Sequence, residues 1–128
     1  MNTPDDRYYQ KSHEWVRVED NMAYIGITDY AQDSLGDIVF VELPEKGVTL
    51  EKGDEITTIE SVKAASPIYT PVGGTIYEVN EDLEEKPELI NEDPYNTHIV
   101  VIEFEGELET SDLMDSKAYD EFVEQEKE

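Results

Sequence analysis

No cysteine occurs among the 128 residues, which rules out a disulfide framework, a thiolate zinc site and a cysteine nucleophile. Basic residues are scarce: nine Lys plus Arg face 33 Asp plus Glu, for a formal net charge of -24. A surface of that sign repels phosphate backbones and anionic lipid, which argues against nucleic-acid or membrane binding. The longest apolar run, Ile99-Val100-Val101-Ile102, falls far short of a bilayer span. The N-terminal MNTPDDRYYQ has no basic start followed by an apolar run, so no secretion signal is read and the expected location is the cytoplasm. The two histidines, His13 and His98, are far apart and lack metal-ligand spacing. A G-x-S-x-G elbow, a Walker loop and a dinucleotide fingerprint are all missing. Carboxylate pairs occur everywhere, so none is informative. The chain does not read as an enzyme acting alone.

Acidity is the outlying property that is present. Such charge strains a fold by self-repulsion, and the screening length falls from about 8 Å at ordinary ionic strength to roughly 3 Å at 1 M salt. The acids are spread over the whole chain, which fits the solvated surface of a salt-adapted, halophile-like protein better than an acidic decoy for a basic partner. Acidity also invites disorder, yet apolar and aromatic residues recur in strand-like groups through Phe104. Only Glu124-Gln125-Glu126-Lys127-Glu128 is expected to fray. One domain over residues 1–128 is expected, with a core over about 8–104 and a C-terminal helical segment over about 110–124.

Strand signals dominate the first four-fifths. Trp15 to Val18 and Met22 to Ile27 flank the turn-like Glu19-Asp20-Asn21. Thr28 or Asp29 can cap a short helix with Tyr30, Ala31 and Leu35 on one face and Gly36 as its stop. Ile38 to Leu43 predicts a strand ended by Pro44, with turns at Glu45-Lys46-Gly47 and Lys52-Gly53-Asp54. Glu55 to Glu60 and Ile68 to Thr70 read as the arms of a hairpin, and Gly73-Gly74 as a bend before Thr75 to Val79. Asn80 is the expected cap of a short helix interrupted by Pro87, Asn91-Glu92-Asp93-Pro94 a turn, and His98 to Phe104 the last strand. Beyond Gly106 the period becomes helical. Ser111 or Asp112 is expected to cap one turn, and Asp115 or Ser116 a helix with Ala118, Tyr119, Phe122 and Val123 on its packing face. Gly36 to Glu42 and Gly74 to Asn80 echo each other, suggesting two related halves. Short strands with frequent Gly and Pro turns predict a β-sandwich or flattened barrel.

Lys63 stands out within this frame. It stands alone among the basic residues between Lys52 and Lys86, with small or apolar neighbours in Val62, Ala64 and Ala65. A lysine at the tip of a rigid hairpin faces outward, and an acyl arm attached there would be a reagent tethered at high effective concentration. For one lysine alone, a solubilising loop residue is the simpler explanation.

The surrounding residues change that balance. Glu60-Ser61-Val62-Lys63-Ala64-Ala65-Ser66 resembles the lipoylation motif of glycine cleavage H proteins. The resemblance extends through Ser12-His13-Glu14-Trp15-Val16, Ile25 to Gln32, Leu35 to Pro44, Glu78-Val79-Asn80 and Leu89 to Tyr95, and so covers about Tyr8 to Val123. It implies a mainly β fold: a lipoyl/biotinyl-type flattened β-barrel, a two-sheet sandwich, with short helices and a C-terminal helix. It further implies a monomeric carrier with lipoate amide-linked to Lys63 by a lipoate-attaching enzyme. The implied partners are a pyridoxal-phosphate glycine decarboxylase, a tetrahydrofolate-dependent aminomethyltransferase and dihydrolipoyl dehydrogenase.

In that family the loaded arm can fold back into a cleft, and the motif match makes Ser12 and Glu14 candidates to contact the amine, Glu14 as its charge partner. Three positions depart from the pattern: Pro67 where an acid is common, His98-Ile99 where Gly-Trp is frequent, and Ser34 where histidine is frequent. Pro67 favours, mildly, an alternative in which an H-like relay passes lipoate to 2-oxoacid dehydrogenase complexes. A biotin carrier fits less well, because its motif sets methionine beside the lysine. A cofactor-free acidic binding module is the alternative from another class.

Overall fold

The computed structural model describes residues 3–127. Nine strands and four helices follow in the order β1 (Tyr8–Tyr9), β2 (Glu14–Glu19), β3 (Met22–Ile27), α1 (Asp29–Leu35), β4 (Ile38–Val41), β5 (Thr49–Leu50), β6 (Glu55–Ser61), β7 (Ala65–Tyr69), β8 (Gly74–Val79), α2 (Asp82–Glu85), α3 (Leu89–Glu92), β9 (Val100–Glu103) and α4 (Ser116–Lys127). They form a six-stranded sheet ordered β1-β2-β3-β9-β8-β5 and a three-stranded sheet ordered β4-β6-β7. This is the expected two-sheet sandwich. The strands of the sequence echo, β4 and β8, fall in different sheets.

Period-2 alternation makes the sheets. In β3, Ala23, Ile25 and Ile27 are buried, and across the sandwich Ile38, Val41, Ile59 and Ile68 meet them in one apolar cluster. Each fully buried isoleucine stabilises the fold by ~1.5–3 kcal/mol relative to exposure. A second cluster is aromatic: Tyr9, Trp15, Tyr119 and Val123 are buried between the first strands and α4. The Tyr9 and Tyr119 rings stack at 4.8 Å, and the Trp15 indole N–H donates to the Pro94 carbonyl at 3.0 Å. Trp15 lies flat over its cross-strand partner Gly26, where a Cβ would come within 2.6 Å of the ring. A twelve-residue helix is marginal in isolation. The expected face of α4 accounts for its order: Tyr119 and Val123 are fully buried, and the Asp115 carboxylate caps it by accepting from the Ala118 N–H at 2.8 Å.

Several boundaries differ from expectation. β4 ends at Val41 and leaves Leu43 outside the ladder. β7 starts at Ala65 and includes Pro67, which an edge strand accommodates because its outer side needs no ladder donor. Asn80 does not cap a helix with its side chain; its amide donates to the His98 carbonyl at 2.8 Å, and α2 starts at Asp82 without side-chain capping. Asn91 and Glu92, expected in a turn, belong to α3, whose Ile90 is buried in the core. The last strand is Val100–Glu103, with flanking bonds from Ile99 N to Ile25 O and from Phe104 N to Asn21 O. The Leu113–Met114 turn is held by a backbone bridge between Met114 and Tyr9 rather than by a cap from Ser111 or Asp112. Residues Glu124 to Lys127 continue α4 instead of fraying, and Glu128 lies outside the described residues. Among the described residues, no helix is long and apolar enough to cross a membrane, and no group of three or more His, Asp or Glu is placed to hold a metal.

Candidate functional site

β6 and β7 pair in continuous register from Thr57↔Ile68 to Glu60↔Ala65, with a shift between Glu55 and Thr57, and Val62-Lys63-Ala64 turns between them. Ser61 makes this turn rigid. Its backbone N–H donates to the Ala64 carbonyl at 2.8 Å, and its hydroxyl oxygen accepts from the Lys63 and Ala64 N–H groups at 3.1 Å each. The tip is also tied sideways, because the Val62 N–H donates to the Asp37 carbonyl at 3.0 Å. Val62 is 65% exposed, so little covers the lysine.

The Lys63 methylenes run beside Gly36, the residue that stops α1. A Cβ at Gly36 would sit 3.4 Å from Lys63 Cε and 3.8 Å from Cδ. Gly36 has φ 80° and ψ -158°, a conformation that side-chain-bearing residues rarely adopt. Its corner is clamped by Asn91, whose amide donates to the Gly36 carbonyl and to Gln32 Oε1, each at 2.9 Å, and accepts from the Ile38 N–H at 2.8 Å. The other end of α1 is set by the Thr28 hydroxyl, which accepts from the Ala31 N–H at 3.2 Å.

Next to this corner opens a cleft of about 420 Å³ lined by Ser12, His13, Tyr30, Ala31, Ser34, Leu35, Ser66 and Glu126. Leu35 precedes Gly36 in the chain, so Lys63 and the cleft share one edge of α1. Glu126 is the one carboxylate in this lining. His13 Nε2 lies 2.8 Å from Glu126 Oε2, and His13 Nδ1 lies 2.8 Å from the Tyr119 hydroxyl. A carboxylate only accepts, so with the neutral ring Nε2–H donates to Glu126 and Nδ1 accepts from Tyr119. The Tyr119 oxygen in turn accepts from the Thr28 hydroxyl at 2.6 Å. This chain of bonds runs from the cap of α1 to the end of α4. Burial pushes the Tyr119 phenol well above its usual range, so it stays protonated and able to donate.

Glu14 is not a free surface acid. It is fully buried, Oε1 accepts from the Ser12 hydroxyl and from Gln10 Nε2, and Oε2 accepts from the Tyr69 N–H at 2.9 Å. Gln10 Nε2 also donates to the Tyr69 carbonyl at 3.0 Å. Burial raises the Glu14 pKa, partly offset by the bonds from Ser12 and Tyr69. Glu14 therefore lies behind Ser12, tying β2 of one sheet to the free edge of β7 in the other.

Of the residues marked by sequence, Lys63 is at the tip, Ser12 lines the cleft, and Glu14 is one bond removed from it. Ser34 and Ser66 also line the cleft. His98 lies elsewhere, edge-on to Tyr24 at 5.3 Å, and burial lowers its pKa. Its Nε2 has no hydrogen-bond partner among the described residues. Sequence reasoning missed His13, Glu126 and Asn91. His13 lacks metal-ligand spacing, and that criterion does not register a hydrogen-bonding role.

A rigid hairpin that presents one lysine beside a cleft is the layout of a carrier. The profile of the glycine cleavage H-protein family matches residues 7–126. The glycine cleavage system H protein of Syntrophomonas wolfei is 55% identical over 126 residues, covering 98% of this chain and 97% of that one. The glycine cleavage system H protein 4 of Aquifex aeolicus is also 55% identical, over 96% of this chain and 75% of that one. The crystal structure of a glycine cleavage system H protein from Mycobacterium marinum superposes with a TM-score of 0.82 at 33% identity, covering 98% and 99% of the two chains. The chain belongs to the glycine cleavage H-protein family.

Proposed function

We propose that this chain is the lipoyl-carrying shuttle of glycine cleavage, with lipoate attached to Lys63 as its sole site. Members of this family carry lipoate covalently on a lysine and serve the glycine decarboxylase, the aminomethyltransferase and dihydrolipoyl dehydrogenase. The placement of Lys63 at the tip of a hydrogen-bonded turn is the observation that supports the assignment to this residue. The surroundings suit an acylated lysine: exposed neighbours leave its amine reachable, and Gly36 leaves room along the methylenes. In amide linkage there, lipoate supplies a sulfur to take up the aminomethyl group and a dithiol–disulfide couple for electron transfer. The chain's own residues hold the tip rigid, offer Ser12, Ser34 and Ser66 as hydroxyls in the adjoining cleft, and use Glu14 to fix Ser12 in place. The protein supplies position; it is a carrier and not a catalyst.

Peptide mass mapping tests the site. Lipoate is expected on Lys63 alone, and Lys63→Arg keeps the cation but removes the acylatable amine, abolishing both the added mass and glycine cleavage. Stability should change by no more than about 0.5 kcal/mol, as for exposed positions generally. Lipoate found on Lys52 or Lys86 refutes the assignment.

The chain is further read as one monomeric cytoplasmic domain, and its acidity as salt adaptation. Glu14 is the one fully buried carboxylate among the described residues, so the remaining acids charge the surface. Raising potassium chloride from low to molar concentration screens their repulsion and should raise the melting temperature. A flat or falling melting temperature overturns salt adaptation and leaves the carrier assignment standing.

A further inference from the structure

We infer that the pocket between Arg7, Arg17 and His98 binds an oxyanion, a phosphate or carboxylate group, at a site separate from the Lys63 tip and the cleft beside α1. The chain has only two arginines, and both line this pocket of about 290 Å³ together with one of its two histidines. Its lining shares no residue with the cleft. In a chain of net charge -24, this is a local reversal of sign: the two guanidinium groups are set against a single lining acid, Asp6.

The six-stranded sheet brings the cations together. Trp15 and Arg17 alternate onto one face of β2, and Arg17 lies opposite Tyr24 in the β2–β3 ladder. The Arg17 guanidinium lies over the Tyr24 ring at 4.4 Å, and His98 meets the same ring edge-on at 5.3 Å. The Arg7 guanidinium lies over the Trp15 ring at 4.6 Å. An aromatic face orients a guanidinium plane without consuming the N–H groups at its edge. Many of those donors are unspent. Arg7 donates to Asp6 through Nε at 2.7 Å and Nη2 at 3.3 Å, and to the Tyr95 carbonyl through Nη1 at 2.7 Å, so two of its five N–H groups have no acceptor among the described residues. Arg17 gives one of its five to Glu19 and keeps four. Asp6 and Glu19 are each 57% exposed, so water screens their hold on the arginines. His98 Nε2 has no hydrogen-bond partner among the described residues, and Glu78 Oε1 lies 3.8 Å away, beyond hydrogen-bond reach. Two oriented guanidinium forks with spare donors match the geometry of an oxyanion.

Proton NMR of the full chain tests the site, because only two histidines contribute ring signals and His98→Gln assigns them. Burial lowers the His98 pKa, Arg17 lowers it further and Glu78 opposes both. An oxyanion bound beside the ring favours its charged form and should raise that pKa. Titrating inorganic phosphate at constant ionic strength should therefore move the His98 signal to saturation. Arg17→Gln should weaken phosphate affinity by about tenfold or more, the scale of a hydrogen bond to a charged group. Arg17→Lys, which keeps the charge and loses the fork, should fall between. Lys46→Gln removes one positive charge from an exposed position outside the pocket and should bind phosphate as the wild type does. The site is overturned if the His98 signal does not saturate, if chloride moves it equally, or if Lys46→Gln weakens binding as much as Arg17→Gln. A second arm identifies the occupant. If an acidic side chain of glycine decarboxylase fills the pocket, phosphate should raise the KM for the lipoylated wild-type carrier more than for Arg17→Gln; an equal response of the two carriers assigns the pocket to a free anion. Both results support the site. The NMR arm needs no lipoate, so failure of the site and failure of the carrier reading are read separately.

Discussion

The hairpin tip and the cleft beside it are built in opposite ways. The tip is local: Ser61, Lys63 and Ala64 satisfy one another within four residues, and one lateral bond to Asp37 fixes its lean. The cleft is assembled from the turn before β2, both ends of α1, one residue of β7 and the last turn of α4. Local construction makes the tip insensitive to substitutions elsewhere, which suits the attachment site proposed there. Assembly makes the cleft dependent on the whole fold. Gly36 and Asn91 are where the two regions touch.

The comparison can be broken most severely at that contact. Gly36→Ala puts a side chain at φ 80° and ψ -158° and crowds the lysine, and should destabilise the fold by ~1–3 kcal/mol. Chemical unfolding reads the loss. Lipoylation of the folded fraction should survive, because the turn's own bonds do not pass through Gly36; a loss of lipoylation at full folding would show that the tip is not autonomous.

A smaller effect is expected at Glu14, the tie between the sheets. Its raised pKa means that the native carboxyl keeps its proton to higher pH than the unfolded chain does. As pH climbs from the ordinary carboxylate range through the raised native value, the unfolded chain ionises first and stability is lost. Glu14→Gln cannot ionise, so the stability advantage of wild type over this variant should narrow across that window and then level off. Urea unfolding at a series of pH values measures the difference, and an advantage that widens with pH would mean that the three donors outweigh burial.

The smallest effect belongs to Pro67→Asp. It places an acid near the tip at an exposed strand edge and should slow ammonia release from the loaded carrier by no more than the ~0.2–1 kcal/mol of a surface pair. A much larger retardation would show that an acid at this position engages the amine far more strongly than an exposed pair does.

How much of this was legible follows from the same contrast. The strands, the Thr28 cap, the Gly36 stop and the packing face of α4 could be read because alternation, capping and helical period are properties of neighbouring residues. Lys63 stands out in the sequence because the motif it resembles is contiguous, and the structure places it at the hairpin tip. Asn80 and Asn91 were misread because an asparagine amide serves a turn, a cap or a distant carbonyl equally well, and tertiary contacts chose the last for both. Glu126 was hidden in a run of charges expected to fray. What singles it out is His13 at the other end of the chain, and no local period connects the two.

The outer edge of β7 carries a consequence for a crowded solution of such carriers. A free strand edge offers unpaired N–H and C=O groups that can template a second chain. Along this edge Pro67 has no N–H, and two residues on the Tyr69 N–H and C=O are taken by Glu14 and Gln10. Pro67 therefore also quiets the backbone beside the hairpin tip. A second chain meeting this edge finds few free donors to zip onto, so the strand beside the exposed tip is poorly suited to templating self-association.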